Sequence, residues 1–470
     1  MRKQLMSKCL VGAGILFGAL ISQAGMIDWS GTYRFEANMI NNSELSSEDY
    51  NKDYGLHHLV LKGMINAGDG LKIHSRFDLF NNSAYPNSQL GAVWGDGVGS
   101  ASNNANDSNV ISQNMKAEMI AINNLYLTVE QEHGALLVGR VPMHFGLGIN
   151  LNAGNGEFDH WFDNADTVAY KIVMGNMYIM PMYSKFSEGS LELTRDDVTE
   201  TAVQFQYENP ESELEFGAMY STRSSTESTG NDAPTGTPIW GAGSAKSGVY
   251  TAQTIGVYAV KDLPKYRVGF EFAVNEGKTG FLRGGQEVSL KGTGVAFEFD
   301  WKPEAGLFQY GIKAGYASGD DPDTTEFEGF FFDRNYDVAF LLFNHQLGQD
   351  NFFRTDYWGG GGSAANTKPD VETISNVTYF SPYISYKWSE KWNLGARVTG
   401  GYLNSNPISG KDVEKSLGFE FDFSVKYKPN NRVSWVTEFG LLTPGAAFKA
   451  DGTYEAKTAY GLTTKAAISF

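Results

Sequence analysis

Segments of about ten residues in which apolar and polar side chains alternate constrain this chain more than any other feature of its sequence. In residues 29–39 the odd positions are apolar or small and the even ones polar, and residues 417–427 repeat the pattern with aromatic rings on one face and carboxylates on the other. Alternation with period two is typical of β-strands. An aromatic-rich face of this length favours a lipid-facing strand over the core of a soluble sandwich. The pattern therefore predicts an all-β fold, a transmembrane antiparallel β-barrel.

The composition agrees with this interpretation. Of the 470 residues, 19% are charged, 14% are aromatic and 54 are Gly, a combination that favours strands and turns. No run of 18 or more apolar residues follows the N-terminal region, so no transmembrane helix is expected. A net charge of -17 opposes non-specific binding to nucleic acid, and that class of function is excluded.

The N-terminal region has the pattern of a secretory signal peptide. Three basic residues open it, an apolar run follows over residues 10–20, and residues 22–24 form a small-x-small cleavage site. The single cysteine of the chain, Cys9, lies within this region, so neither disulfides nor thiolate chemistry are expected in the mature protein. We expect a signal peptide over residues 1–24 and one outer-membrane barrel domain over residues 25–470.

Eighteen alternating segments can be assigned, and their connections are short and long in turn. The short ones are tight turns, whereas the long polar ones include residues 83–116, 224–247 and 319–373. Short periplasmic turns in phase with long external loops are characteristic of outer-membrane barrels, which have an even number of strands. We predict about 18 strands. The numbers 16 and 20 stay open because Pro181 and Pro382 fall inside strands, where each requires a bulge or a position near the rim.

The polar face of each strand would line the interior of such a barrel. The alternation predicts that the following charged side chains line the pore: Arg34, Glu36, Lys62, Lys72, Arg76, Asp78, Arg140, Lys171, Lys185, Glu271, Glu298, Lys313, Arg397, Glu420, Asp422 and Glu438. Acids dominate the strands in the middle of the chain, and bases are more frequent on the facing walls, so a transverse field across the pore is expected. The alternative is that these are wall charges paired with their neighbours.

Two short motifs resemble those of a known family of outer-membrane barrels. Residues 315–321, Gly-Tyr-Ala-Ser-Gly-Asp-Asp, resemble the ASGD-type motif of the alginate-export family. Residues 139–146, Gly-Arg-Val-Pro-Met-His-Phe-Gly, are similar to a strand of that and related porin families. The resemblance implies an 18-stranded porin-like barrel and leaves the substrate open. An exporter of anionic polysaccharide should have a strongly basic lumen, whereas the predicted lumen is mixed.

These features predict a porin-type channel in the outer membrane of a Gram-negative bacterium, through which small hydrophilic solutes diffuse passively. A substrate-specific channel for the export or uptake of saccharides or anionic polymers stays open, as does a plugged barrel that acts as an adhesin or receptor. No Gly-x-Ser-x-Gly motif is present, and we do not expect an enzyme. The expected partners are outer-membrane lipid and, through the terminal Phe470, the barrel-assembly machinery. Monomer and homotrimer both stay open.

No cofactor or metal is predicted. The acidic residues Asp320, Asp321 and Asp323 could offer oxygen ligands to calcium, but they lack the spacing of an EF-hand loop, and a solvated acidic loop is the favoured interpretation. His58 and His144 belong to no recognisable metal motif.

The segment 319–373 is long for a hairpin connection and contains apolar patches at residues 330–332 and 340–343. Such patches are unfavourable in a loop surrounded by water. We therefore predict that part of this segment folds into the mouth of the barrel and narrows it.

Overall fold

The computed structural model of the protein describes residues 27–45, 51–80, 92–93, 120–187, 197–225, 245–246, 250–283, 286–303, 306–321, 323–345, 347–348, 373–407, 413–452 and 456–470. The predicted signal peptide lies outside these residues. Eighteen long strands are present in the described part of the chain: β1 (Ile27–Asn41), β2 (Lys52–Gly68), β3 (Leu71–Leu79), β4 (Ile120–Gln131), β5 (Gly134–Pro142), β6 (Asn164–Met174), β7 (Met177–Ser187), β8 (Val198–Asn209), β9 (Leu214–Ser225), β10 (Tyr250–Asp262), β11 (Tyr266–Arg283), β12 (Gln286–Trp301), β13 (Phe308–Ala317), β14 (Val377–Lys387), β15 (Trp392–Leu403), β16 (Ser416–Asn430), β17 (Val433–Pro444) and β18 (Ala459–Ser469).

The strands form a closed barrel. Each pairs antiparallel with the next along the chain. The last strand, β18, pairs antiparallel with β1, with Thr32 opposite Ser469. At this seam Gly31 and Phe470 exchange two backbone hydrogen bonds, of 3.1 and 3.0 Å. The predicted fold class and the strand number of 18 are confirmed.

The predicted alternation of connections is also present, with one difference. Eight connections, each leading from an even-numbered strand to an odd-numbered one, are two to six residues long. Because it leads from an odd-numbered strand to an even-numbered one, the connection between β11 and β12 is expected to be one of the long loops. Instead β11 continues to Arg283 and β12 begins at Gln286, so these two strands extend together beyond their neighbours as a hairpin. A register shift between Lys278 and Leu282 accompanies this extension.

Neither proline takes the position that the sequence predicts. Pro181 lies within β7 and Pro382 within β14, and in both strands the register is the same on either side of the proline. Two residue pairs are missing at the proline from the pairing of β7 with β6 and from that of β14 with β15, because proline has no N–H to donate. The expectation of a bulge or a rim position is therefore wrong, since a local gap in the pairing suffices.

The two faces of the wall differ in their surroundings. The outer face carries large exposed apolar side chains around its circumference, including Phe380, Phe419, Phe421 and Trp435. Three further tryptophans, Trp301, Trp388 and Trp392, are exposed beside short turns. The inner face is largely buried because two connections fold back into the barrel. No helix in the described ranges is long and apolar enough to cross a bilayer.

Candidate functional site

The first connection that enters the barrel, residues 143–163 between β5 and β6, is here named the first inner segment. It leaves the wall directly after Pro142, and the ring of Phe145 is buried. The carboxylate of Glu271, on the inner face of β11, accepts hydrogen bonds from the backbone N–H groups of Leu147 (2.6 Å) and Ile149 (3.4 Å). A wall carboxylate thus fixes the turn of this segment through charge-assisted hydrogen bonds.

Glycine is required at the turn itself. Gly146 has φ 59°, in the left-handed region that side chains rarely adopt. A Cβ atom at this position would also lie 2.7 Å from Oε2 of Glu271. Gly146 therefore lets the backbone approach the anchoring carboxylate, and it is the last residue of the motif at residues 139–146.

The second connection that enters the barrel includes residues 328–345, here named the second inner segment. The motif at residues 315–321 forms its base. The hydroxyl of Ser318 donates to the carbonyl of Glu328 (2.6 Å), and Oδ1 of Asp320 accepts from the N–H of Glu328 (2.9 Å). Both motifs therefore lie where the chain leaves the wall and enters the lumen.

The second inner segment packs as an apolar core inside the barrel. Phe330, Phe332, Leu341 and Leu342 are buried together with apolar residues of the inner wall, such as Tyr379. The apolar patches predicted to fold inward are thus buried against the inner wall. Their effect on conductance stays a prediction.

Polar groups of the wall satisfy the backbone of this segment. Glu420 on β16 accepts hydrogen bonds from the N–H groups of three consecutive residues, Phe340 (3.0 Å), Leu341 (2.5 Å) and Leu342 (2.7 Å). The hydroxyls of Ser381 and Thr399 donate to the carbonyl of Val338, at 2.7 and 2.8 Å. Both hydroxyls lie at the ladder gap beside Pro382. Buried backbone groups need such partners, because each unsatisfied one costs about 1–3 kcal/mol.

The two inner segments meet within the lumen. The side chain of Asn335 accepts from the N–H groups of His160 (3.1 Å) and Trp161 (3.0 Å) and donates to the carbonyl of Trp161 (2.7 Å). The N–H of Asp333 donates to the carbonyl of Ile149 (2.8 Å). The guanidinium of Arg334 lies 4.4 Å from the centre of the Trp161 ring. These contacts form a bridge across the interior, here named the segment junction.

Two partly buried carboxyl groups lie at the segment junction. Burial raises the pKa of the Asp333 carboxyl, and the charge of Asp163 raises it further. Burial likewise raises the pKa of Asp163, although its carboxylate accepts a hydrogen bond of 2.9 Å from the N–H of Asn152. The ionised form of this pair is therefore unfavourable in the folded protein.

Most of the residues predicted to line the pore do face the interior. Cross-strand pairing places fourteen of the sixteen on the inner face, which is the face that both inner segments cover. Seven of these residues are buried: Arg34, Glu36, Arg76, Asp78, Glu271, Glu420 and Asp422.

Arg140 and Lys185 are corrections to the prediction. Arg140 pairs with Leu125 across β4 and with Asp166 across β6, both on the outer face, and it forms two hydrogen bonds of 2.8 Å to the Asp166 carboxylate. Lys185 also lies opposite Asp166, next to the buried, inward Ser184, and forms an ion pair with Asp197 (2.9 Å). Uncharged side chains such as Val141, Met182 and Ser184 take the inner face here, where the first inner segment packs, so the charged residue of each alternation points outward.

Ion pairs occupy many of the inward charges, as the alternative interpretation states. Arg34 binds Glu36 at 2.8 Å, and Arg76 binds Asp78 through two hydrogen bonds of 2.9 and 3.0 Å. His160 of the first inner segment lies 2.8 Å from Glu36. The remaining pairs include Lys72 with Glu130 and Glu298 with both Arg267 and Lys313.

A cavity of about 380 Å³ lies beside the basic part of the wall. Lys62, His74 and Arg76 line it together with Asn124 and Tyr126. Lys62 is exposed and belongs to no ion pair within the described ranges. The imidazole of His74 stacks on the ring of Tyr126, with 4.7 Å between their centres. Asp28 also lines the cavity, and Arg76 is already paired with Asp78, so the attraction for anions at this wall comes from Lys62.

The residues considered as metal ligands are engaged elsewhere. His58 lies 2.9 Å from Asp78 on the wall, whereas Asp321 accepts the N–H of Asp323 within its loop (3.0 Å). No group of three or more histidine or acidic side chains suited to a metal ion occurs in the part of the chain that the structure describes.

Sequence reasoning missed the first inner segment, because its start was assigned to a longer strand over residues 135–146. A usable signal was present. Pro142 is followed by Gly146, Gly148 and Gly154, all with positive φ, and the residues between them are largely apolar. Turn residues interspersed with apolar ones favour a folded connection over a strand.

Comparison with known proteins supports the fold. The crystal structure of Pseudomonas aeruginosa OccK9 (OpdG) matches with a TM-score of 0.51 at 10% identity, over 94% of this chain and 98% of that chain. P. aeruginosa OccK3 (OpdO) matches with a TM-score of 0.50 at 9% identity, over 94% and 96% of the two chains. No family model matches this sequence, and no curated protein matches it. The resemblance to the alginate-export family is therefore not confirmed.

Proposed function

We propose that this protein is a porin-type channel of the outer membrane of a Gram-negative bacterium, through which small hydrophilic solutes diffuse passively. The observation that carries the proposal is the contrast between the two faces of a closed wall. The outer face is apolar and rich in aromatic rings, as lipid contact requires, whereas the inner face carries ionisable side chains. The role is transport, and we assign no catalytic residue.

Conductance across a planar lipid bilayer tests this proposal. The purified protein should produce discrete steps, small for an 18-stranded barrel because the two inner segments occupy part of the lumen. Fractionation with the outer membrane and heat-dependent gel mobility should accompany them. A mature protein recovered as a soluble species, or one that never conducts, would contradict the assignment.

The basic wall favours a second, narrower function, a channel specific for anionic saccharides or anionic polymers such as those of the alginate-export family. Replacing Lys62 and Arg76 together by glutamine should shift reversal potentials under a salt gradient toward cations if solutes pass this wall. Arg140, which faces outward, serves as the matched control, and Arg140→Gln should leave the reversal potential unchanged. A third function, a plugged barrel acting as a receptor, is supported by the segment junction and predicts no conductance at all.

Assembly follows from the same proposal. We propose that residues 1–24 direct export and that the terminal Phe470, whose backbone closes the seam with Gly31, is recognised by the barrel-assembly machinery. Deletion of Phe470 should then reduce insertion into the outer membrane without affecting export. The exposed apolar outer face is compatible with lipid around a monomer and with contacts in a homotrimer.

A further inference from the structure

A second cavity, of about 240 Å³, lies between the first inner segment and the inner face of β5 to β9. Four methionines line it: Met143, Met180, Met182 and Met219. Three of them pack in one apolar cluster with Ala165 and Ala169. This chain has 13 methionines in 470 residues, so their concentration around one cavity is a local feature.

The size and lining of this methionine cavity suit an aromatic ring. An apolar cavity of about 150 Å³ is enough to hold benzene, so there is room here for one ring and a short substituent. Thioether sulfur makes favourable contacts with aromatic rings, and methionine side chains adapt to the shape of what they bind.

Two carboxylates lie behind the polar end of the methionine cavity and do not line it themselves. Gln206 lines it, and its amide donates to the carboxylates of Glu208 (2.5 Å) and Glu215 (2.9 Å). Neither carboxylate belongs to an ion pair among the described residues. The hydroxyl of Tyr258 also donates to Glu215 (2.5 Å).

Two basic side chains are near this end, and they leave a net negative charge there. Lys171 lies 3.8 Å from the centre of the Tyr178 ring, which lines the cavity. His144 of the first inner segment lines it as well, and burial lowers the pKa of its imidazole, so the ring is neutral at neutral pH. Near this end the two carboxylates therefore outnumber the single ammonium.

We propose that the methionine cavity is a binding subsite for solutes in which an aromatic ring carries a short alkylammonium group. The ring lies among the methionines, and the ammonium points toward Glu208 and Glu215. A role for this subsite in transport rests on the proposed channel function. Binding of a solute to the subsite does not require that the channel conduct. An anionic analogue of the same shape would place its carboxylate near two acids whose charge Lys171 offsets only in part, and it is disfavoured.

Calorimetric titration of the full-length barrel in detergent tests the proposal with two probes of similar shape, 2-phenylethylamine and 3-phenylpropionate. We expect the amine to bind at least about tenfold more tightly than the carboxylate. Equal affinity, or tighter binding of the carboxylate, would overturn the proposal. Conductance measured on the same preparation separates this result from the proposed function, since a conducting protein that binds neither probe refutes the subsite alone.

Two neighbouring positions on β6 provide matched variants. Ala169 lies on the inner face and lines the methionine cavity, whereas Val168 is exposed on the outer face. Ala169→Phe should abolish binding of 2-phenylethylamine because the new ring fills the cavity, and Val168→Phe should preserve it. Binding that survives in Ala169→Phe would place the probe elsewhere and overturn the proposal.

A third variant keeps the proposal testable if the overpacked Ala169→Phe protein fails to fold. Glu215→Gln keeps the size of the side chain and removes one charge, so it should weaken binding of 2-phenylethylamine about fivefold. It should also narrow the preference over 3-phenylpropionate. An unchanged preference would show that the acids do not contact the ammonium and would contradict the proposed orientation.

Discussion

The two inner segments occupy the same lumen but are held in different ways. The first inner segment turns on glycines and is attached to the wall mainly by polar contacts, including two backbone N–H groups on Glu271 and the pair of His160 with Glu36. The second inner segment buries a continuous apolar surface and adds three N–H groups on Glu420. Burial of large apolar side chains contributes about 1.5–3 kcal/mol each, whereas a typical hydrogen bond contributes about 1 kcal/mol. We therefore expect the second segment to be held more firmly in the lumen than the first.

The strongest test of this difference is to place a charge in the core of the second inner segment. Leu341 is completely buried, so Leu341→Asp should destabilise the packed segment by more than about 3 kcal/mol. We expect higher single-channel conductance because the segment leaves the lumen. Leu341→Met conserves volume and should conduct like the native protein. Unchanged conductance in Leu341→Asp would show that the segment does not narrow the path.

Removal of the two anchoring carboxylates compares the segments directly. Glu420→Ala leaves three N–H groups without their acceptor, whereas Glu271→Ala leaves two, at about 1–3 kcal/mol for each buried group. In the native protein, amide exchange at residues 340–342 should be slower than at residues 147–149. Each variant should accelerate exchange at its own segment and spare the other. Equal amide exchange rates in the two segments, both in the native protein and in the variants, would show that the two segments are equally stable.

The segment junction should respond more weakly. Asn335→Ala removes three hydrogen bonds between the segments, and we expect a loss of about 2 kcal/mol. Because the second segment keeps its apolar core, current noise and amide exchange should increase in the first segment alone. Asn344→Ala, which removes a bond within the second segment, is the matched control. Increased exchange in both segments after Asn335→Ala would contradict this view.

The smallest expected effect concerns pH. The pKa values of Asp163 and Asp333 are raised in the folded protein, so the folded state binds protons more tightly than the unfolded chain. Stability from this pair is therefore lost as pH rises above the usual carboxyl range and is recovered on acidification. We expect a quieter, smaller current at about pH 5 than at about pH 8.

Asp333→Asn should reproduce the acidic behaviour at both pH values. Asp69→Asn, in the turn between β2 and β3, is a suitable control because asparagine tolerates the positive φ of 50° at this position. The current of this variant should depend on pH as in the native protein. A current that changes with pH equally in Asp333→Asn and in the native protein would exclude this carboxyl pair as the cause.

Alternation in the sequence was sufficient to predict the barrel, its strand number and the inward direction of residues such as Arg34 and Glu420, because water on one side and lipid on the other impose period two. It failed at Arg140 and Lys185 for a physical reason. Where the first inner segment packs on the wall, the inner face carries apolar side chains and the outer face carries these charged ones, so polarity no longer distinguishes inside from outside. The anchoring roles of Glu271 and Glu420 depend on contacts 122 and 78 residues apart along the chain, which no local pattern contains.

The position of the second inner segment also bears on the order in which the barrel assembles. Its apolar cluster includes Ile40 at the end of β1 and Ala459 at the start of β18. The ring of Phe340 and the side chain of Leu341 also lie close to Gly461 on β18. The second inner segment therefore contacts both the first and the last strand on the inner face of the barrel. The pairing of β1 with β18 joins the two most distant strands of the chain, and such distant pairings form late in folding. The facing edges of β1 and β18 therefore stay unpaired until the other strands have formed. Docking of the segment across both strands would add to the stability of the closed barrel, so its excision should lower the free energy of unfolding.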